Sequence, residues 1–163
     1  MSAEGGDMLE MEIPGFGHVK VKHVVSDFTG TVSVDGNLLP GVLERLTQLA
    51  TKLQIHIVTA DTFGTARKQL ENVPCEIHIL NGTRHDIQKE KYVAGLKGET
   101  VIALGNGNND RCMLKRARIG IAVTEGEGCS VDAIKAAHIH VRGIIEGLDL
   151  LLNPLRLKAT LRY

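Results

Sequence analysis

A Rossmann-like α/β fold, a three-layer parallel sheet with helices on both faces, is what this sequence predicts, and three observations carry the prediction. Short apolar runs rich in Val and Ile alternate with stretches whose apolar residues recur at helical spacing, the pattern of parallel strands joined by crossover helices. Several of those runs end on polar or Gly-containing turns, at Asp27, Thr59 and Gly105, and the carboxyl ends of strands are where open sheets of this kind place ligands. With 43% hydrophobic residues in 163, the chain is long enough and apolar enough for one ordinary domain with its own core. Residues 1–163 therefore read as a single domain.

Taken in order, residues 1–7 are small, polar and Gly-rich and are expected to fray. Residues 8–13 alternate apolar and acidic, Pro14, Gly15, Phe16 and Gly17 read as a turn, and 18–22 alternate again with period two. Residues 1–22 thus form an N-terminal hairpin extension whose second arm runs on into a strand at Val24 and Val25. Val32, Ser33 and Val34, the Asp35-Gly36 turn and Asn37 to Leu39 predict a small flap hairpin over Asp27, Asp-Gly being a strong hairpin cue. Pro40 and Gly41 open a helix whose apolar positions Val42, Leu43, Leu46, Leu49, Ala50 and Leu53 share one face. Strands at 54–58, 75–80, 100–104, 119–123 and 138–141 then alternate with helices near 65–71, 86–96, 109–117, 130–136 and 143–152. The tail 153–163 is basic and apolar and suits a short docked helix.

Charge and cysteine usage narrow the function classes. Lys+Arg and Asp+Glu balance at 19 each, so no overall field favours nucleic acid or an anionic membrane. The three cysteines, Cys75, Cys112 and Cys129, are widely spaced and unpaired in sequence, which fits small buried residues in a reducing compartment better than disulfides or zinc. No apolar run approaches the roughly 18 residues of a membrane span, and the first thirty residues are acidic rather than signal-like. A cytoplasmic protein is expected.

The strand ends carry related chemistry. Asp27 ends the first strand, Thr59, Ala60 and Asp61 follow the second, Lys89 and Lys91 precede a later one, and Gly105-Asn106-Gly107-Asn108-Asn109-Asp110 ends it. In a parallel sheet these ends meet at one edge. A carboxylate can attack phosphorus, a hydroxyl and backbone N–H groups hold the equatorial oxygens, a Lys neutralises charge and magnesium takes oxygen ligands. Each part also has a plainer reading: Thr59 ends a strand, Asp61 caps the helix after it, Lys89 is solvated on a helix face, and the Asn-Gly run is a turn.

Order and spacing favour the joint reading. Asp27-Phe28-Thr29-Gly30-Thr31 resembles the Asp-Lys-Thr-Gly-Thr of P-type ATPase phosphorylation domains, within the haloacid dehalogenase superfamily. Thr59 to Ala66 is similar to their Thr-Gly-Asp segment, Lys89 with Val93 and Leu96 matches their Lys spacing, and 105–110 followed by Gly120-Ile121-Ala122-Val123 resembles their Gly-Asp-Gly-x-Asn-Asp stretch and its sequel. The resemblance covers roughly residues 23–123 and, more closely, points to the small soluble P-type ATPase-like proteins of prokaryotes. It implies that Asp27 is a phosphate-accepting nucleophile, with Mg2+ held by its carboxylate and by the Thr29 carbonyl. It further implies that Phe28, Thr29, Gly30, Thr59, Ala60 and Lys89 bind the phosphoryl group. Asn106 and Asp110 would complete the metal shell, with Thr31, Asp61 and Asn109 in support.

Two departures from the family pattern bear on activity. Thr29 stands where the phosphatases of the superfamily carry a general acid/base Asp, a loss of typically about 10²–10⁴-fold. Asn106 replaces a metal-binding Asp, removing one formal charge. The expected function is a slow Mg-dependent phosphohydrolase working through an aspartyl phosphate; the alternative is a non-catalytic phosphate-binding or regulatory protein on the same fold. The intervals from Asp27 to Thr59 and on to Lys89 are consumed by the flap, helices and strands, so no cap domain is expected. Without a lid, a macromolecular phosphoester or a substrate enclosed by a second subunit fits best, and by analogy with capless relatives the flap is the expected surface for a homo-oligomer. With no membrane span and no nucleotide-binding insertion, ion pumping is set aside. A receiver-type phosphoacceptor has the wrong motif order, and a dinucleotide site at 105–107 lacks its third Gly and its acidic partner. The histidine pairs His138/His140 and His56/His78 read as surface residues rather than metal ligands.

Overall fold

In a computed structural model that describes residues 8–163, the chain opens with β1 (Leu9–Ile13) and β2 (Gly17–Val21), an antiparallel pair forming its own two-stranded sheet. The chain then enters β3 (His23–Ser26), the flap strands β4 (Ser33–Val34) and β5 (Asn37–Leu38), α1 (Val42–Leu49), β6 (Gln54–Thr59), α2 (Ala66–Gln69) and β7 (Cys75–Ile79). It continues through α3 (His85–Gly95), β8 (Val101–Gly105), α4 (Arg111–Arg116), β9 (Ile119–Val123), α5 (Val131–Ala136), β10 (Ile139–Val141), α6 (Ile144–Leu152) and α7 (Pro154–Leu161). The central sheet has the strand order β10-β9-β8-β3-β6-β7, parallel throughout.

The central place of β3 and β8 in that order fits their residues. Strand β8 is buried at every position (Val101, Ile102, Ala103, Leu104, Gly105) and β3 at all but its first, as strands covered on both faces must be. Val24, Ile55, Ile57, Ile102, Leu104 and Ile121 face α1 and α6 and pack with Val42, Leu46 and Leu148; Val25, Val58 and Ala103 face the other way onto Val93, Met113 and Leu114 of α3 and α4. From β3 the chain builds outward through β6 and β7, then crosses back to β8 on the other side of β3. The switch point between β3 and β8 opens a crevice at the strand carboxyl ends.

Where the structure differs from the sequence reading, the cause is local. The first helix stops at Leu49 rather than near Leu53, because Ala50 to Leu53 close a turn back onto 46–49 (Lys52 N–H to Leu49 O, 2.9 Å; Leu53 N–H to Leu49 O, 2.8 Å). The β2 arm runs on into β3 across the single residue Lys22, whose backbone already joins the central sheet, donating to Thr100 O and accepting from Gln54 N–H, both at 2.9 Å. The tail does form a docked helix, α7, which buries Leu157 and ends with Tyr163 N–H donating to Pro14 O at 3.0 Å. The expected fraying of 1–7 lies outside the described residues.

The reading of His56 as a surface residue is wrong: it is 2% exposed. It lies on the α3 face of the sheet, 3.0 Å (Nε2) from His23 Nδ1 and 2.8 Å (Nδ1) from Tyr92 Oη. Alternation alone cannot show that a polar position on β6 is covered by a helix-borne Tyr. Cys75, Cys112 and Cys129 are likewise half-buried rather than buried. Burial, above all, lowers the pKa of both His23 and His56 below 6.5. Folding therefore excludes protons here, so this contribution to stability is complete above the unfolded value of about 6.5 and is lost as pH falls through the lower folded value. Accordingly the stability difference between wild type and His56→Gln, measured by urea unfolding, should narrow between pH 7.5 and 5; an unchanged difference would count against a neutral buried imidazole.

Candidate active site

Strands β3 and β8 run in register, Ser26 opposite Leu104, and Asp27 N–H donates to Leu104 O at 3.1 Å. Asp27 and the 105–110 turn therefore share the crevice. Asp27 Oδ1 accepts from Phe28 N–H at 2.8 Å and lies 3.2 Å from Lys89 Nζ. Lys89 reaches in from α3, whose first turn starts at the same sheet edge, and also donates to Asp110 Oδ1 at 2.7 Å and Asn109 Oδ1 at 3.4 Å. Asp110 Oδ2 accepts from Asn106 N–H and Gly107 N–H, both at 2.9 Å. Gly105 permits that fold-back, since a Cβ there would lie 2.5 Å from Asp110 Cβ.

The buried triad Asp27–Lys89–Asp110 is 6%, 1% and 0% exposed, which decides its electrostatics: two carboxylates share one ammonium away from water. Burial pushes the Asp27 carboxyl up, the Asp110 carboxylate adds to that, and Lys89 opposes both, leaving it at about 7. Burial pulls Lys89 down, but the two carboxylates outweigh it and hold the ammonium at about 12. Lys89 is therefore a fixed cation, while Asp27 carries an electrostatic penalty that a second cation would relieve.

Asn106 stands beside the triad. Its Oδ1 accepts from Thr31 Oγ1 at 3.1 Å, its Nδ2 donates to Gly128 O at 3.1 Å, and its carbonyl accepts from Ser130 N–H at 2.7 Å. Gly30 has φ +80, and a Cβ there would sit 2.5 Å from Asn106 Nδ2, so both its conformation and its missing side chain are needed. Thr59 is 1% exposed at the end of β6; its Oγ1 accepts from Asp61 N–H at 3.0 Å, leaving the hydroxyl hydrogen to donate. Ala60 follows on the same turn. Asp61, at φ 52, accepts from Thr65 and Ala66 N–H, both at 3.1 Å, and so caps α2.

Of the residues expected at the site, Asp27, Lys89, Asn109 and Asp110 are drawn into direct contact, and Thr31 and Asn106 into a second bonded pair. Two backbone donors expected to serve phosphate are engaged within the protein, Phe28 N–H by Asp27 and Gly30 N–H by Ser33 O at 2.9 Å. Asp110, expected as a metal ligand, has both oxygens occupied by protein donors and acts as the strut that places Lys89 and the Asn106–Gly107 backbone.

Three oxygens remain for a hard cation. Asp27 Oδ2 accepts no hydrogen bond among the described residues, Thr29 Oγ1 is buried with no partner there, and Asn106 Oδ1 has one donor only. All are oxygen donors beside an excess of negative charge, which fits magnesium or a similar ion. Among the described residues no group of three or more His, Cys, Asp or Glu is arranged to hold a metal; the fit depends on the Asn106 amide and the Thr29 segment. His138 and His140 do not converge: His138 Nδ1 accepts from Gly120 N–H at 2.9 Å, and His140 Nε2 lies 2.7 Å from Thr124 Oγ1.

The flap is pinned on two sides. Gly36 O accepts from Thr65 Oγ1 (2.5 Å) and Gln69 Nε2 (2.9 Å), Leu38 N–H donates to Gln69 Oε1, and Asp35 N–H donates to Glu127 Oε2 at 3.2 Å. The sequence reading missed another group at this edge, Arg84, Asp86 and Arg111. Asp86 is 8% exposed and holds both guanidiniums; its place one helical turn before Lys89 was the available signal.

The chain matches known proteins in part. A family model of haloacid dehalogenase-like hydrolases matches residues 92–140, which include the 105–110 turn. An uncharacterized protein of Methanocaldococcus jannaschii is 48% identical over 80 residues, 47% of this chain and 86% of that protein. A copper-transporting ATPase of Oryza sativa subsp. japonica is 28% identical over 129 residues, 76% of this chain and 13% of the ATPase. Among solved structures, 3-deoxy-D-manno-octulosonate 8-phosphate phosphatase from Moraxella catarrhalis, in complex with magnesium, phosphate and the sugar acid, superposes with a TM-score of 0.63 at 15% identity, covering 82% of this chain and 86% of that one.

Proposed function

Because the chain belongs to the haloacid dehalogenase superfamily, we propose that it is a slow, magnesium-dependent phosphohydrolase that works through an aspartyl phosphate on Asp27. The observation that carries this reading is the buried Asp27 carboxyl, raised to about 7 and 3.2 Å from the Lys89 ammonium. The stretch shared with the copper-transporting ATPase favours the P-type ATPase-like subgroup, whose phosphorylated Asp sits in the motif Asp27 to Thr31 resembles.

Phe28 N–H and Lys89 hold the Asp27 carboxylate through Oδ1; one carboxylate oxygen attacks phosphorus and the other would ligate magnesium. As the new O–P bond forms, the bond from phosphorus to the leaving oxygen breaks and its electron pair departs with the leaving group. Lys89 and the Thr59 hydroxyl meet the phosphoryl oxygens; a bound magnesium ion would neutralise charge on them. In a second step water attacks phosphorus, orthophosphate leaves and the Asp27 carboxylate is restored. Thr29 offers no carboxyl to give or take a proton in either step. Acyl and aryl phosphates, whose leaving groups need no proton, are therefore the best substrates, and the phosphoenzyme is long-lived. The test is incubation of the full chain with magnesium and acetyl phosphate, followed by acid quench and intact-mass analysis. The expected result is one phosphoryl group per chain on Asp27, with slow release of orthophosphate. No label and no release at any magnesium concentration overturns the reading.

A second reading, a phosphate-binding or regulatory protein without turnover, is favoured by one contact. Asn106 Nδ2 donates to Gly128 O, a bond that the family's Asp cannot make, so the loop is fitted to an amide. Asn106→Asp should destabilise the metal-free protein by about 1–3 kcal/mol, since a carboxylate oxygen would face that carbonyl. It should also tighten magnesium binding about tenfold through the added charge. Melting curves with EDTA and with magnesium check both; equal curves for variant and wild type in the two buffers would sink the argument.

A further inference from the structure

The Arg84–Asp86–Arg111 group lies at the same sheet edge as the phosphoryl site and has no part in the chemistry above. Asp86 sits in the first turn of α3, three residues before Lys89 and so roughly 5 Å along the axis. Arg111 directly follows Asp110, the strut of the triad. Asp86 Oδ1 lies 3.1 Å from Arg84 Nε, and Oδ2 lies 3.2 Å from Arg84 Nη2 and 3.3 Å from Arg111 Nη2; Arg111 Nη1 also donates to Asn108 O at 2.8 Å. The arginine hydrogen bond, first, holds Asp86 well below the usual carboxylate range. One carboxylate thus orients two guanidiniums that remain 69% and 41% exposed and keep more N–H donors than these contacts use.

This is an unusual use of residues if the ion pairs serve stability alone, because exposed pairs contribute little. Arg84 holds φ 55, a left-handed conformation that side chains rarely adopt. Arg111 also opens onto a broad hollow of about 490 Å³ lined by Cys112, Lys115, Asp132 and Lys135, where cations again outnumber acids. The chain is neutral overall, so this local excess of positive charge is a property of the edge and not of the molecule.

We infer that Arg84 and Arg111 form a second anion subsite, and that the substrate is a phosphoester whose leaving portion carries a further anionic group, a carboxylate or a second phosphate. The inference rests on the phosphoryl site proposed above. Planar guanidiniums already oriented by Asp86 suit bidentate capture of such a group, with little ordering left to do on binding. With no cap domain among the described residues, this fixed rim supplies the substrate recognition that a lid would otherwise give.

The test uses phosphonates, which the enzyme cannot hydrolyse, in pairs matched for size. Phosphonoacetate is compared with ethylphosphonate, and 3-phosphonopropionate with propylphosphonate, by isothermal titration of the full chain in magnesium. At least one carboxylated member should bind about tenfold more tightly than its partner. That ratio should fall to near one in both Arg84→Gln and Arg111→Gln, with thermal melting confirming that each variant is folded. Alkylphosphonates binding as tightly as their carboxylated partners, or a ratio that survives both substitutions, overturns the subsite while leaving the phosphoryl site intact. Absence of binding by every phosphonate overturns both readings.

Discussion

Asp27→Asn is expected to abolish the phosphoenzyme and, in metal-free protein at pH 8, to raise the melting temperature. The two effects have one origin. An Asn at this position keeps an oxygen for Phe28 N–H and Lys89 Nζ, which now bind Asp27 Oδ1 at 2.8 and 3.2 Å, but it cannot attack phosphorus. It also removes a carboxylate that burial and Asp110 penalise, since the Asp27 pKa rises from 3.8 to about 7 on folding. The native protein holds a proton there that the unfolded chain has lost, so this group's contribution is fully present below the unfolded value and disappears as pH rises through the folded one. The gain from Asp27→Asn should therefore be absent below pH 3.8, grow up to about pH 7, and level off above it at a few kcal/mol, roughly the size that shift permits. Magnesium should shrink the gain, because a cation beside the carboxylate favours its charged form. Urea unfolding at pH 4, 6 and 8, with EDTA and with magnesium, checks this. A variant less stable than wild type at pH 8 in EDTA would mean that Asp27 is held by its ion pair and is not strained by its surroundings.

Much of this site was legible because its chemistry lies at strand ends, where spacing and residue type are read together. Val24 and Val25 before Asp27, and Val101 to Leu104 before Gly105, are short apolar runs closed by turns, and burial on two faces fits the central place of β3 and β8 in the sheet. What could not be read depends on contacts between distant elements. Asp110 has the composition of a metal ligand, yet the close approach allowed by Gly105 turns both of its oxygens inward. His56 carries no sign in its neighbours that Tyr92, on a helix that follows the next strand, will cover it. Arg84 and Arg111 are separated by the whole of α3 and β8, and the buried Asp86 joins them. Asn106 was recognised as a departure, but its bond to Gly128 O, which makes the amide a fitted part of the loop, is a fact of the fold.

Lys89→Met tests the opposite side of the triad. Methionine is an unbranched chain one atom shorter than that of Lys and is at home in a core, so packing around this 1%-exposed position is largely kept. What is lost is the cation between Asp27 and Asp110, which lie 3.2 and 2.7 Å from Nζ. Removing one member of a buried ion pair typically costs about 3–5 kcal/mol, because the remaining charge stays desolvated. Here two charges remain, although Asp110 keeps its two backbone N–H donors on Oδ2. The deficit should be largest above pH 7 and shrink as the pH falls and Asp27 takes up a proton, whereas the cost of a cavity, which does not titrate, would stay flat. Adding Asp27→Asn to Lys89→Met should restore about 1–3 kcal/mol beyond what Asp27→Asn gives in wild type, the coupling expected of side chains in contact. Magnesium at saturating concentration should also recover part of the loss while phosphoryl transfer stays absent, since a cation bound by Asp27 and Asn106 does not replace the ammonium over the phosphoryl oxygens. A deficit below about 1 kcal/mol that stays flat with pH would show that water reaches the triad, and the raised pKa of Asp27 would then lose its physical basis.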